Sequence, residues 1–130
     1  MKRVWIVDDD QEMSYAMGMM LELLDCETKS FLHARSAAQT LLTGERPDLI
    51  VLDIHMPEVS GLDLLEFLRR RSEWEDLPIV MLSSEAADVT VDEAMELGAD
   101  GYVMKPVTLE ELEKVMKAAF KKRQKGKTVR

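Results

Sequence analysis

Three four-residue apolar runs, Val4-Trp5-Ile6-Val7, Leu49-Ile50-Val51-Leu52 and Ile79-Val80-Met81-Leu82, constrain this chain more than any other feature. None shows polar alternation, and all contain β-branched residues, so each suits a strand buried on both faces. Strands of that kind belong to a parallel sheet covered by helices. Two weaker strands are predicted at Thr28–Phe31 and Gly101–Met104.

Between the runs the period changes. Met13, Ala16, Met17, Met20, Leu21 and Leu24 form one stripe of a helix. Ala34, Ala37, Ala38, Leu41 and Leu42 repeat the pattern, with Gly44 and Pro47 ending it. Gly61, Leu64, Leu65 and Leu68 make a third stripe before Pro78. Val91, Ala94 and Met95 face inward on a short fourth helix that Gly98 is placed to cap. Leu112, Val115, Met116, Ala119 and Phe120 form the fifth, opened by a capping box of Thr108 and Glu111. Five strands alternating with five helices predict a doubly wound α/β fold. The 130 residues suit one such domain.

Charge is uneven along the chain. Residues 121–130 hold six of the 17 Lys and Arg and no acid, leaving 11 bases against 25 acids in residues 1–120. So acidic a body repels nucleic acid, and direct DNA or RNA binding by it is not expected. The basic segment is expected to be a solvated tail or the start of a linker. No run is long enough for a membrane span, and Met1-Lys2-Arg3 is not followed by a signal-peptide apolar region. The single cysteine, Cys26, cannot make an internal disulfide, so a cytoplasmic location is expected.

In a doubly wound sheet, ligands bind beyond the carboxyl ends of the strands. The first run ends in Asp8-Asp9-Asp10, the third strand in Asp53, the fourth in Ser83-Ser84 and the fifth in Lys105-Pro106. Taken singly, an aspartate or serine after a strand is an ordinary turn former or cap. Together they place acids, a hydroxyl and an amine on one edge. Clustered carboxylates repel unless a cation sits among them, and a hard divalent ion such as Mg²⁺ is the natural occupant. A carboxylate beside Mg²⁺ can attack phosphorus and form an aspartyl-phosphate. Asp10 reads better as a helix cap, or as a charge lying behind the ligands, than as a ligand.

VDDD at 7–10, LDIHMPEVSG at 52–61, MLSSE at 81–85 and GYVMKP at 101–106 together resemble the receiver domain of bacterial two-component response regulators. The resemblance spans about residues 3–120. It implies a flavodoxin-like three-layer sandwich with strand order 2-1-3-4-5, the receiver occupying residues 1–120 and the tail 121–130. By this resemblance Asp53 is the phosphoacceptor, and Asp8, Asp9, Asp53 and the backbone carbonyl of His55 hold Mg²⁺, with Mn²⁺ an alternative. Ser83 is the switch hydroxyl, Lys105 is the phosphate-pairing lysine, presented by a Lys105-Pro106 bond expected to be cis, and Tyr102 is the aromatic that moves on phosphorylation. His55 and Glu85, each two residues beyond a site residue, are expected to tune the phosphoryl lifetime. The implied function is a switch rather than an enzyme with a separate substrate. It takes phosphoryl from a sensor histidine kinase or phosphotransfer protein and changes its surface of fourth helix, fifth strand and fifth helix. That surface would control an output domain or downstream protein, or form a homodimer.

Two other readings stand beside it. A haloacid-dehalogenase-type hydrolase also forms an aspartyl-phosphate, but usually has a second acid two residues after the nucleophile, where this chain has His55. A flavin- or nucleotide-binding module of similar fold would call for a glycine-rich phosphate loop after the first strand, and three acids stand there instead.

Overall fold

A parallel sheet of five strands orders the molecule: β1 (Lys2–Val7), β2 (Cys26–Phe31), β3 (Leu49–Asp53), β4 (Ile79–Ser83) and β5 (Gly101–Met104), arranged 2-1-3-4-5. The structure is a computed structural model that describes residues 1–84 and 88–128, those of 88–90 and 125–128 as backbone only. The intervening helices are α1 (Gln11–Leu23), α2 (Ala34–Leu42), α3 (Gly61–Arg69), α4 (Asp88–Glu96) and α5 (Leu109–Thr128).

Every residue of β3 and β4 is buried, as unalternated runs require. Alternate side chains feed two separate cores. Trp5, Val7, Ile50, Leu52, Ile79 and Met81 pack with residues of α2 and α3 on one face. Val4, Ile6, Leu49, Val51, Val80 and Leu82 pack with Met17 and Leu21 of α1 and with Leu112, Met116 and Ala119 of α5 on the other. The three-layer expectation therefore holds. The edge strand β2 begins two residues earlier than the apolar pattern suggested. Only its ends are buried, because an edge strand leaves its middle to solvent.

The helical stripes hold with three exceptions. Ala16 is exposed, while Ser14, off the apolar stripe, is buried and reaches the Asp8 carbonyl with its hydroxyl at 3.4 Å. Leu42 is 59% exposed and Met95 is 38% exposed, each one step around its helix from a buried neighbour, Leu41 and Ala94. Gly98 caps α4 with φ +107°, donating to the Met95 carbonyl. Of the capping box on α5, one half is present: the Glu111 N–H donates to Thr108 Oγ1 at 3.2 Å.

The compositional break at residue 121 is not a break in structure. α5 runs on to Thr128, and while Lys121 is exposed as expected, Arg123 folds back onto the body.

Candidate functional site

β1 and β3 are neighbours in register, Val7 beside Leu52, so the residues that follow each strand emerge side by side. Asp8 and Asp53 are both buried there, while Asp9 is exposed. One oxygen from each of Asp8, Asp9 and Asp53 lies within 4.8 Å of the other two. The next residue, Asp10, caps α1 by accepting from the Met13 N–H at 3.1 Å, the role expected of it. β5 brings Lys105 across, its Nζ 3.3 Å from Asp8 Oδ2 and 3.8 Å from Asp53 Oδ1. The Lys105-Pro106 peptide is cis. Ser83 ends β4 fully buried, and its carbonyl accepts from the Lys105 N–H at 2.8 Å, so it stands between the acid side and the lysine side.

Gly61 makes this packing feasible. A Cβ on it would lie 1.9 Å from the Asp53 carbonyl oxygen, so only glycine lets α3 begin directly against the end of β3. Its N–H donates to the Ile54 carbonyl, and Ser60 and Asp63 complete a reciprocal capping box. The sequence placed Gly61 on a helix stripe; its closeness to Asp53 needed the fold. Glu58, in the same loop, has φ +66°, an unfavourable conformation for a residue with a side chain.

The electrostatics are those of a site with too much negative charge. Burial, then the charge of Asp8, pushes the Asp53 carboxyl up to about 7, with Lys105 and the His55 backbone N–H pulling the other way. Asp8 Oδ1 accepts from the Asp10 N–H, but the buried Asp8 Oδ2 accepts no aligned hydrogen bond and has Lys105 as its nearest cation. A buried carboxylate oxygen left in this state costs free energy, which a cation would recover. The donor set is all oxygen, so it fits a hard divalent ion.

The remaining expected site residues lie farther out. The His55 side chain is exposed, and Tyr102 is 44% exposed on the edge strand β5. Glu85 lies outside the described residues. The sequence reading missed a second charged cluster altogether. Asp100, buried just before β5, is gripped by Arg69 and Arg123 at the opposite end of the sheet from Asp53. Its only signal in the sequence was an acid immediately ahead of a strand.

Fold and site together define a doubly wound domain with an acidic, cation-compatible pocket facing a lysine. The sequence matches the response regulator receiver domain family over residues 4–117, and the chain belongs to that family. It is a receiver domain of two-component signalling. Among curated relatives, it is 33% identical over 120 residues to the phosphate regulon transcriptional regulatory protein PhoB of Rhizobium meliloti, covering 92% of this chain and 52% of that protein. It is 35% identical over 113 residues to the transcriptional regulatory protein CpxR of Klebsiella pneumoniae, covering 86% and 46%. The chain thus spans about half the length of these relatives. Among solved structures, the chemotaxis protein CheY4 of Vibrio cholerae superposes with a TM-score of 0.83 at 27% identity, covering 92% of this chain and 98% of that one. A receiver domain protein of Methanospirillum hungatei gives 0.84 at 26%, covering 97% and 98%. The hydrolase alternative finds no support in these similarities, and the position where it would hold a second acid is the exposed His55. Among the described residues, no helix is long and apolar enough to cross a membrane.

Proposed function

We propose that this receiver takes a phosphoryl group onto Asp53 from a sensor histidine kinase or phosphotransfer protein in a Mg²⁺-dependent reaction. The observation that carries the reading is the meeting of Asp8, Asp9 and Asp53 within 4.8 Å beside Lys105. Asp8, Asp9, Asp53 and the His55 carbonyl would hold the ion, Mg²⁺ or Mn²⁺. Bound there, it would keep Asp53 ionised and neutralise phosphoryl oxygens.

An Asp53 carboxylate oxygen attacks phosphorus as the P–N bond of the phosphohistidine breaks, and the departing imidazole nitrogen keeps the electron pair. Lys105 pairs with one phosphoryl oxygen and the Ser83 hydroxyl bonds another. Water later attacks phosphorus and returns Asp53 as a carboxylate. His55 and Glu85, each two residues beyond a site residue in the sequence, set the lifetime. The domain thus catalyses its own phosphoryl transfer and slow dephosphorylation, with no separate substrate.

Drawing Ser83 toward the phosphoryl group frees space that the half-exposed Tyr102 fills, shifting the α4–β5–α5 surface between two states. That surface then governs an output domain, a downstream protein or a homodimer. We assign residues 1–120 to the receiver and 121–130 to a basic C-terminal tail or the start of a linker, and place the protein in the cytoplasm.

Incubation with Mg²⁺ and a small acyl phosphate tests the reading. The parent should gain the mass of one phosphoryl group, and Asp53→Asn should gain none. A label that persists on His55 in that variant, or multiple turnover of the acyl phosphate, would overturn it.

A further inference from the structure

Asp100 lies far from the acidic pocket and does nothing in the phosphoryl chemistry, yet its carboxylate is fully buried. Its Oδ2 accepts from the Ile79 N–H that opens β4, from Arg69 Nη2 of α3 and from Arg123 Nε of α5, each at 3.0 Å. Its Oδ1 stands 2.8 Å from Arg123 Nη2 and 3.7 Å from Lys122 Nζ, as ion pairs rather than aligned hydrogen bonds.

The two arginines also share a second acceptor. The carbonyl of Gly98, at the cap of α4, accepts from Arg69 Nε at 2.8 Å and from Arg123 Nη2 at 3.3 Å. Arg69 is completed by the Trp74 carbonyl, Arg123 by that of Glu75. One carboxylate and one carbonyl therefore tie the far end of α5 to the junction of α4 and β5.

We propose that Asp100 and the Gly98 carbonyl form a latch for Arg123, so that the α4–β5 junction sets the course of α5 beyond residue 120. The reading is independent of phosphorylation chemistry, because none of its residues lies at the acidic pocket.

The arrangement is built to open. Two guanidinium groups and an ammonium face the Asp100 carboxylate, and although Asp76 also acts on Arg69, Arg123 and Arg69 repel each other. Burial, and next the nearness of Arg123, pull the Arg69 guanidinium down to about 10. If Arg123 leaves, Asp100 keeps Arg69 and the Ile79 N–H, so no buried charge is orphaned. Arg69 is thus the fixed half of the latch and Arg123 the releasable half, with the larger exposed fraction of the two. In a chain as long as its relatives, the latch would fix the direction in which the following segment departs.

Backbone hydrogen exchange on the full chain tests this. Arg123→Gln should raise exchange at least tenfold across residues 120–128 and leave residues 109–117 unchanged, while Lys121→Gln should change neither. Gly98→Ala, which strains the αL cap and places a Cβ 3.0 Å from Arg69, should loosen the same stretch of α5 from across the junction. Unchanged exchange at 120–128 in Arg123→Gln would overturn the latch. Uniform loss of protection over the whole domain would also overturn it, by showing Arg123 to be a general structural prop. Loosening in Arg123→Gln but not in Gly98→Ala would overturn the coupling to α4.

Discussion

Asp53→Asn should stabilise the metal-free domain, although it deletes the group on which the proposed function turns. The Asp53 carboxyl titrates near ~3.9 in an unfolded chain and at about 7 when folded. Between those values the folded state holds a proton that the unfolded state has lost. Stability therefore falls as pH rises from 4 to 7, and the deficit is complete above about pH 8. About three pH units at 1.36 kcal/mol each set an upper bound of about 4 kcal/mol. Relaxation and water entry at the sheet edge reduce it, and ~2 kcal/mol is the expected gain. An asparagine keeps the shape and offers Asp8 an amide donor where the carboxylate offered repulsion. For a domain of this size ~2 kcal/mol is roughly 8 °C in Tm.

The assay is thermal unfolding of parent and variant in chelator at pH 5, 6, 7 and 8. The gap should be widest at pH 8 and shrink to about a third of that at pH 5, where the folded carboxyl is protonated and the unfolded one still ionised. All other titrating groups are common to both proteins, so the difference isolates Asp53. Added millimolar Mg²⁺ should raise the parent more than the variant, because the variant has lost a ligand. A variant that melts below the parent at pH 8, or a gap that does not change with pH, would refute the reasoning.

Gly61→Ala should destabilise the domain by about 3 kcal/mol in denaturant titration, since its Cβ would overlap the Asp53 carbonyl and α3 must move. Glu58→Gly should gain ~0.5–1 kcal/mol by relieving the residue at φ +66°, read in the same titration. Arg69→Ala should lose ~3 kcal/mol or more, because it strips the buried Asp100 and two backbone carbonyls of a donor at once. By contrast Arg70→Ala, one residue on, breaks only an exposed pair with Glu66 and should change stability by less than ~0.5 kcal/mol.

Much of this protein could be read without coordinates because its strongest signals are local. The runs at β1, β3 and β4 are unalternated, and only a strand buried on both faces tolerates that. Asp10 as a cap, Gly98 as an αL stop and the acids at the strand ends follow from residue type and position along the chain. Other features were decided by what lay across the fold. Asp8 and Asp9 are chemically identical neighbours, yet one is buried and the other exposed, because Asp8 is still bonded to the neighbouring strand through its N–H on the Phe31 carbonyl and Asp9 lies one residue past that edge. Ser14 is buried although polar because the Asp8 carbonyl, just past the end of β1, lies within reach of its hydroxyl. Gly61 looked like a small core residue until Asp53 stood against it. The basic segment looked like a tail because its charges have no partners nearby in the sequence. Its partner, Asp100, sits 23 residues before Arg123 and meets it only when α5 packs along the sheet. Sequence fixes what each residue can do within a turn or two of chain; burial and charge pairing are set by neighbours that only the packed sheet and helices supply.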